Sequence, residues 1–402
     1  MTRRARSTPR PGIVPDPGVD ASLDIPALGG RRGAGGGGRV DVLAGRDLDD
    51  PDAGGSEVHA DEFMRRWAAA GLEIVHRTSA ARGLPPTSAR NGYTVERHGG
   101  RLGVFPRTIA TEALRQSAFD AVVEIWNGVP WMGPVWCRRP RLTFLHHVHG
   151  PMWDQILPRP FATLGKSIET RWAPPFYRRS LTLTPSDATR DELLELGFEP
   201  SLVRAVPNGV GESFSPGGAR TERPSVVCVG RFAPVKRHEA LLDAAESARR
   251  RVPDLEVTLV GDGPLRPELE AWVERHDARQ WVHLAGRLDA DALVEVYRRS
   301  WIVASASLAE GWGLTLTEAA ACGTPAVATD INGHRSSVVD GVTGVLAPLD
   351  RLGDALADVL VDHRRREALA VAALARARTL TWEASATGVL RGLVDVVEAR
   401  LS

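Results

Sequence analysis

The chain has 402 residues, 43% of them hydrophobic, with 50 basic side chains against 50 acidic ones. That length suits two domains of ordinary size. The charge balance argues against a protein drawn to nucleic acid by net charge, and no apolar run approaches the roughly 20 residues of a membrane span. Cys137, Cys228 and Cys322 form neither a disulfide framework nor a metal-ligand spacing, which points to a reducing, cytoplasmic setting.

Residues 1–38 are rich in Pro, Gly and Arg and carry no signal-peptide core, so a disordered, solvated tail is expected there. Short β-branched runs then alternate with longer amphipathic segments. Strands are predicted at 39–44, 72–77, 120–125, 141–146 and 181–184, with helices near 56–70 and 186–196. A second series begins at 225–230 and continues through 255–260, 281–285, 301–304, 325–328 and 344–346. Its helices are predicted near 237–250, 289–299 and 350–361. The alternation predicts an α/β chain of two Rossmann-like, doubly wound parallel sheets facing across a cleft. The boundaries expected are 39–205 for the first domain and 206–381 for the second, with 382–402 a final helix crossing back to the first. Val206-Pro207-Asn208-Gly209-Val210, followed by Pro216-Gly217-Gly218, reads as the linker.

The densest chemistry lies between Ala309 and Pro348. Glu310 and Glu318 stand eight residues apart, the first beside the turn Gly311-Trp312-Gly313 and the second within a helical pattern from Leu314 that Gly323 should stop. Backbone N–H groups at such a loop-to-helix junction favour an anion. Earlier in the chain, Gly230-Arg231 to Lys236 follows a strand and opens a helix. Only Lys166 and Lys236 are lysines, so a compact cation at a helix start, where cations are otherwise disfavoured, points to a phosphate.

These residues resemble the E-x7-E signature of the retaining glycosyltransferases of family 4, which have the GT-B fold, and the resemblance runs from about Val40 to Leu401. It implies a nucleoside-diphosphate sugar as donor and a small-molecule or lipid acceptor. Arg231 and Lys236 are then expected on the diphosphate, with Gly54 and Gly55 approaching from the opposite wall and Gly311, Trp312, Gly313 and Leu314 contributing backbone N–H groups. Glu310 is expected on the transferred sugar, Glu318 on the ribose, and Gly286, Arg287 and Leu288 at the base. His146 is the expected cleft histidine at a strand end, with His147 close second; Glu124, Asn127 and His147 are assigned to the acceptor side. The segment Asn332-Gly333-His334-Arg335-Ser336 departs from the family pattern, lacking its second glycine and following acid.

No cofactor is expected, since the nucleotide sugar is a co-substrate, and no metal. Asp289 of one Asp-x-Asp match reads better as a helix N-cap, and His146 with His149 lacks the cysteines or carboxylates that would complete a zinc site. Transfer is expected to be retaining and front-face. The alternatives are a nucleotide-sugar hydrolase or epimerase, or a dinucleotide-dependent oxidoreductase, for which a well-placed G-x-G-x-x-G is missing. Trp153, Phe161, Trp172, Phe176 and Tyr177, among Lys166, Arg171, Arg178 and Arg179, suggest an apolar acceptor surface, a peripheral membrane-facing lip, or packing under a long loop.

Overall fold

The computed structural model describes residues 38–114 and 119–401, without the side chains of Pro151, Ile156 and Leu401. Of the expected tail, only Gly38 falls among them. The first sheet has eight strands: β1 (Arg39–Leu43), β2 (Glu73–Thr78), β3 (Thr87–Arg90), β4 (Tyr93–Arg97), β5 (Ala121–Trp126), β6 (Arg141–Leu145), β7 (Thr182–Thr184) and β8 (Val203–Ala205). Their spatial order is β3-β4-β2-β1-β5-β6-β7-β8. All pairings are parallel except β3 with β4. The second sheet has six strands: β9 (Ser225–Val229), β10 (Glu256–Val260), β11 (Val282–Gly286), β12 (Ile302–Ser305), β13 (Ala326–Thr329) and β14 (Gly344–Ala347), in the order β11-β10-β9-β12-β13-β14.

Both sheets are doubly wound, as their alternating patterns predict, because strands such as Ala121–Trp126 are buried along their whole length and need helices on both faces. The β3–β4 hairpin is an addition to the predicted elements. Its turn is Asn91-Gly92, with φ of 44° and 88°, the positive pair that a tight hairpin turn demands and that Asn-Gly supplies cheaply.

The first core gathers Val40, Val42, Phe63, Trp67, Val123 and Phe144 around β1, β5 and β6. The last helix, Trp382–Leu401, closes it: Ala386, Val389, Leu390 and Leu393 are buried there, and the Trp67 indole donates to the Ala386 carbonyl at 3.0 Å. The second core is built on Val226, Leu241, Val257, Leu259, Trp272 and Leu356. The chain passes between sheets at 206–210 and returns at Thr381, where Val210 N–H donates to the Leu380 carbonyl at 3.0 Å.

At that crossing Gly209 leaves no room for a side chain. A Cβ would lie 2.3 Å from the Trp382 nitrogen and 2.6 Å from the Thr381 carbonyl carbon, both backbone atoms. Gly209→Ala should therefore destabilise the protein by about 1–3 kcal/mol, the usual cost of overpacking, measured by denaturant unfolding. An unchanged midpoint would show that the crossing is free to move.

Candidate active site

The site forms where the C-terminal ends of the two sheets meet. On the second domain, β9 ends at Val229 and the chain turns through Gly230 and Arg231 into a short 3-10 turn, Pro234–Lys236, before the helix His238–Arg249. This directs Lys236 across the end of β12. Its ammonium donates to Glu310 Oε1 at 2.5 Å, and Ser307 Oγ donates to the same oxygen at 2.8 Å. Burial pushes the Glu310 carboxyl upward. The Lys236 ammonium, His334 and the two hydrogen bonds more than reverse this and hold it below its ordinary value.

Gly313, at φ 84°, turns the chain into the helix Leu314–Ala321, from which Glu318 projects. The Tyr297 hydroxyl donates to Glu318 at 2.9 Å. With no cation beside it, burial pushes this carboxyl up to about 7, an effect that the Tyr297 bond only partly offsets. The two glutamates thus differ in acidity because one has a lysine beside it and the other has not. Trp312 is buried, and its indole N–H has no partner among the described residues.

The first domain presses closely on this loop. A Cβ on Gly311 would lie 2.6 Å from the His146 carbonyl oxygen, and one on Gly55 would lie 2.9 Å from Leu314 Cδ1. The glycine loop therefore meets the loop-to-helix junction across the cleft. Asn127, at the end of β5, donates to Ser56 Oγ at 2.9 Å and steadies the start of the helix Gly55–Ala69. Arg231 pairs with Asp52 at 3.2 Å, and Arg287 donates to the Pro51 carbonyl at 3.2 Å, so both second-domain arginines reach the same first-domain loop. Gly286 ends β11 at φ 72°, and Leu288 packs into a second-domain cluster beside it.

Two of the expected assignments are redirected. The ring of His146 turns toward the first core, 5.1 Å from His59 and 4.9 Å from Phe144, because alternation along the strand puts positions 144 and 146 on one side. Burial pushes it down to about 3. His147 takes the other side. It stacks on His149 at 4.4 Å and would touch a Gly311 side chain at 3.4 Å. Burial, then His149 and Lys236, hold it neutral. Glu124 does not reach the cleft at all. It is sealed beneath β5 and β6, accepting from Thr143 at 2.9 Å, Tyr177 at 3.0 Å and Gly133 N–H at 3.2 Å, with Arg141 at 3.2 Å. Burial raises its pKa, with Arg141 opposing.

Arg46, absent from the expected set, also belongs here. It donates to Glu57 at 3.2 Å, and Glu57 in turn accepts from Gly54 N–H at 2.7 Å. The Arg231 pKa is lowered first by burial and next by Arg46, so two guanidinium groups from opposite domains face one space. The available signal was position: Arg46 lies just beyond the carboxyl end of β1, where open α/β sheets bind ligands. Among the described residues no cluster of three or more His, Cys, Asp or Glu is arranged to hold a metal.

Comparison with known proteins bears on this geometry. The family model described as Glycosyl transferases group 1 matches residues 211–376, and that of Glycosyltransferase Family 4 matches residues 53–214. A D-inositol 3-phosphate glycosyltransferase from Kribbella flavida is 30% identical over 397 residues, covering 85% of this chain and 92% of that one. A GDP-mannose-dependent alpha-(1-6)-phosphatidylinositol monomannoside mannosyltransferase from Mycolicibacterium smegmatis is 28% identical, covering 71% and 79%. Among solved structures, the sucrose-phosphate synthase of Thermosynechococcus elongatus superposes with a TM-score of 0.71 at 19% identity, over 88% of this chain and 98% of that one. The Anabaena protein HepE, solved in complex with UDP-glucose, gives 0.70 at 19%, over 89% and 100%. The two likenesses establish a shared GT-B fold.

The Glu318 carboxyl gives a pH signature. Its folded value of about 7 exceeds the ordinary 4.5, so between these the unfolded chain binds fewer protons than the folded one. Stability should fall as pH rises through that window and level off above it. Glu318→Gln should remove a slope worth on the order of 1–3 kcal/mol, gaining relative stability above the window. Urea unfolding across this range reads it; parallel wild-type and variant curves would refute the raised value.

Proposed function

The chain belongs to the glycosyl transferases of group 1, and from that premise we propose that it moves a hexosyl unit from a nucleoside-diphosphate sugar to an acceptor hydroxyl. We read the transfer as retaining and metal-independent. The observation that carries this reading is the meeting of Arg231, Lys236 and Glu310 with the Gly54–Gly55 loop at the ends of both sheets.

In this reading the donor diphosphate lies between Arg231 and the N-terminus of the helix that Gly55 begins. Arg231 offers a planar fork to phosphate oxygens, and Lys236 a compact charge that shifts from Glu310 toward the leaving group as its charge grows. These cations, with backbone N–H groups near Gly313, do the work a divalent ion would otherwise do. Glu310 accepts from hydroxyls of the transferred sugar, and Glu318 from those of the ribose. The backbone at Gly286 to Leu288 meets the base. A relative that uses GDP-mannose and a fold neighbour holding UDP-glucose both support a nucleotide-sugar donor.

The charge arrangement favours a front-face route over double displacement. Glu310 is tied down by Lys236 and Ser307, which makes its carboxylate a poor covalent nucleophile. A front-face route then has the anomeric C–O bond to phosphate break first, giving a short-lived oxocarbenium-like ion pair. The acceptor oxygen bonds to the same face while its proton passes to the departing phosphate. The acceptor is a hydroxyl of a small molecule or a lipid headgroup. Both curated relatives are named for inositol-containing acceptors, which makes these the first to try.

The test begins with thermal shifts against UDP, GDP, ADP, dTDP and NAD. A nucleoside diphosphate at about 100 times its Kd should add roughly 2.7 kcal/mol, and Lys236→Ala should lose most of that. With the base identified, Lys236→Ala should lower kcat by roughly 10²–10³, the usual effect of removing one donor to a developing anion. Product NMR should find the donor's anomeric configuration kept, and a chelator should leave the rate unchanged. An inverted anomer would sink the front-face route, and chelator-sensitive turnover the metal-free reading. Stabilisation by NAD alone would overturn the donor assignment.

A further inference from the structure

Residues 161–177 run through the helix Phe161–Ser167, a wider π turn at Ile168–Trp172 and the short helix Pro174–Tyr177. Two stripes follow the chain at three- and four-residue steps. One is buried: Ala162, Gly165, Glu169, Ala173 and Tyr177. The other faces solvent: Phe161 is 60% exposed, Leu164 45%, Trp172 54% and Phe176 51%. Three of the five inward residues are small, Ala162, Gly165 and Ala173, while large apolar side chains lie outside. Phe161, Trp172 and Phe176 are the only exposed aromatic side chains among the described residues.

Charge on this segment is one-sided. Arg159, Arg171, Arg178 and Arg179 are exposed, and among the described residues none of the four is ion-paired. Lys166 is paired with Asp154. The single acid between 159 and 179 is Glu169, and it is turned inward. Its carboxylate accepts from His149 N–H at 2.8 Å, Gly150 N–H at 3.0 Å and the Trp153 indole at 3.0 Å. In a chain whose formal charges cancel, this ridge is a local concentration of cation and aromatic surface.

We infer that the face formed by Phe161, Leu164, Trp172 and Phe176, flanked by Arg171, Arg178 and Arg179, docks on an anionic lipid bilayer. Aromatic and aliphatic side chains enter the headgroup boundary while arginines meet lipid phosphates, the pattern of a helix lying in the membrane plane. A second copy of the chain fits poorly, since pairing this face with itself would bring the arginines together. The proposal is independent of the transfer chemistry: it says where the protein works. Because Glu169 ties the ridge to the loop after His147, the docked face borders the acceptor side of the cleft and would present a lipid headgroup to it.

Co-sedimentation with vesicles of equal parts phosphatidylglycerol and phosphatidylcholine, against phosphatidylcholine alone, tests this on the full chain. Wild type should pellet with the anionic vesicles and be released by salt. Combining Arg171→Glu, Arg178→Glu and Arg179→Glu should weaken binding on the order of a hundredfold, from about fivefold per cation at an anionic surface. Trp172→Ser with Phe176→Ser should also weaken it, whereas replacing the three arginines by lysine should preserve it. Each variant must keep the nucleoside-diphosphate thermal shift of wild type, which separates docking from misfolding and from failure of the donor site. Absence of vesicle binding by folded wild type overturns the proposal. So does binding that survives the patch variants and vanishes on removal of residues 1–37, which would assign it to the basic tail. Loss of a dimer in the serine variants, seen by light scattering, with vesicle binding intact, would mark the face as a protein interface instead.

Discussion

Lys236 and Glu310 are 74 positions apart in the chain and 2.5 Å apart in space. A half-buried carboxylate beyond the end of β12 is costly unless a cation meets it, and here the cation comes from the turn after β9, the neighbouring strand. The pair therefore fixes two loops against one another. Gly333 tightens the arrangement from a third: a Cβ there would lie 2.2 Å from the Glu310 carbonyl oxygen. His334, next in the chain, donates through Nδ1 to the Thr329 carbonyl at 2.7 Å; burial lowers its pKa, with Glu310 opposing. The segment 332–336 thus packs against Glu310 through Gly333 and His334. Asn332 turns to Glu192 on the first domain, at 2.5 Å.

The same logic of compensation extends across the cleft. Arg231 is met by Asp52, Arg46 by Glu57, and Glu57 closes the Gly54 N–H. Arg231 and Arg46 are each matched by a carboxylate, one from the opposite wall and one from the adjacent helix. In both pairs the arginine is partly exposed, and each is worth little, about 1 kcal/mol at most. A diphosphate can displace such weak anions while keeping the cations it needs. The carboxylates keep the cleft from being a bare concentration of positive charge.

Much of this was legible in the sequence, and the failures are instructive. Strand and helix positions follow from runs such as Ser225–Val229 and Ala121–Trp126, whose continuous apolar character leaves little choice but a buried parallel strand. The β3–β4 hairpin carried an explicit Asn-Gly signal but sits on polar, half-exposed strands that lack such a run. At the site, residues defined by backbone chemistry and rarity stood out, as with the glycine turns and Lys236. Side-chain direction did not. Whether His146 or His147 enters the cleft depends on what lies behind the sheet, and His59 and Phe144 decide it from another helix and from two residues back. Glu124 misled for a related reason: its strand ends at the cleft, yet a carboxylate three positions earlier than Asn127 is drawn under the sheet by Arg141, Thr143 and Tyr177. Arg46 went unnoticed because arginine is the common cation of this chain, so its identity carries no information and only its place does.

One further consequence joins the buried chemistry to the surface. Glu169 organises the turn after His149 through two backbone N–H groups and the Trp153 indole, and Trp153 packs so tightly beneath the next helix that a Cβ on Gly165 would lie 2.7 Å from its ring. The small side chains of that helix are therefore required by what lies under it, and its large ones have only the outside left. A strand end that positions His147 in the cleft and a ridge that exposes Phe161, Trp172 and Phe176 are two faces of a single packing problem. Enlarging Gly165 to bury the ridge would push Trp153 into the loop that carries His149. The cleft wall therefore fixes the small inward side chains, while Phe161, Trp172 and Phe176, turned outward, can be exchanged for polar residues without disturbing it.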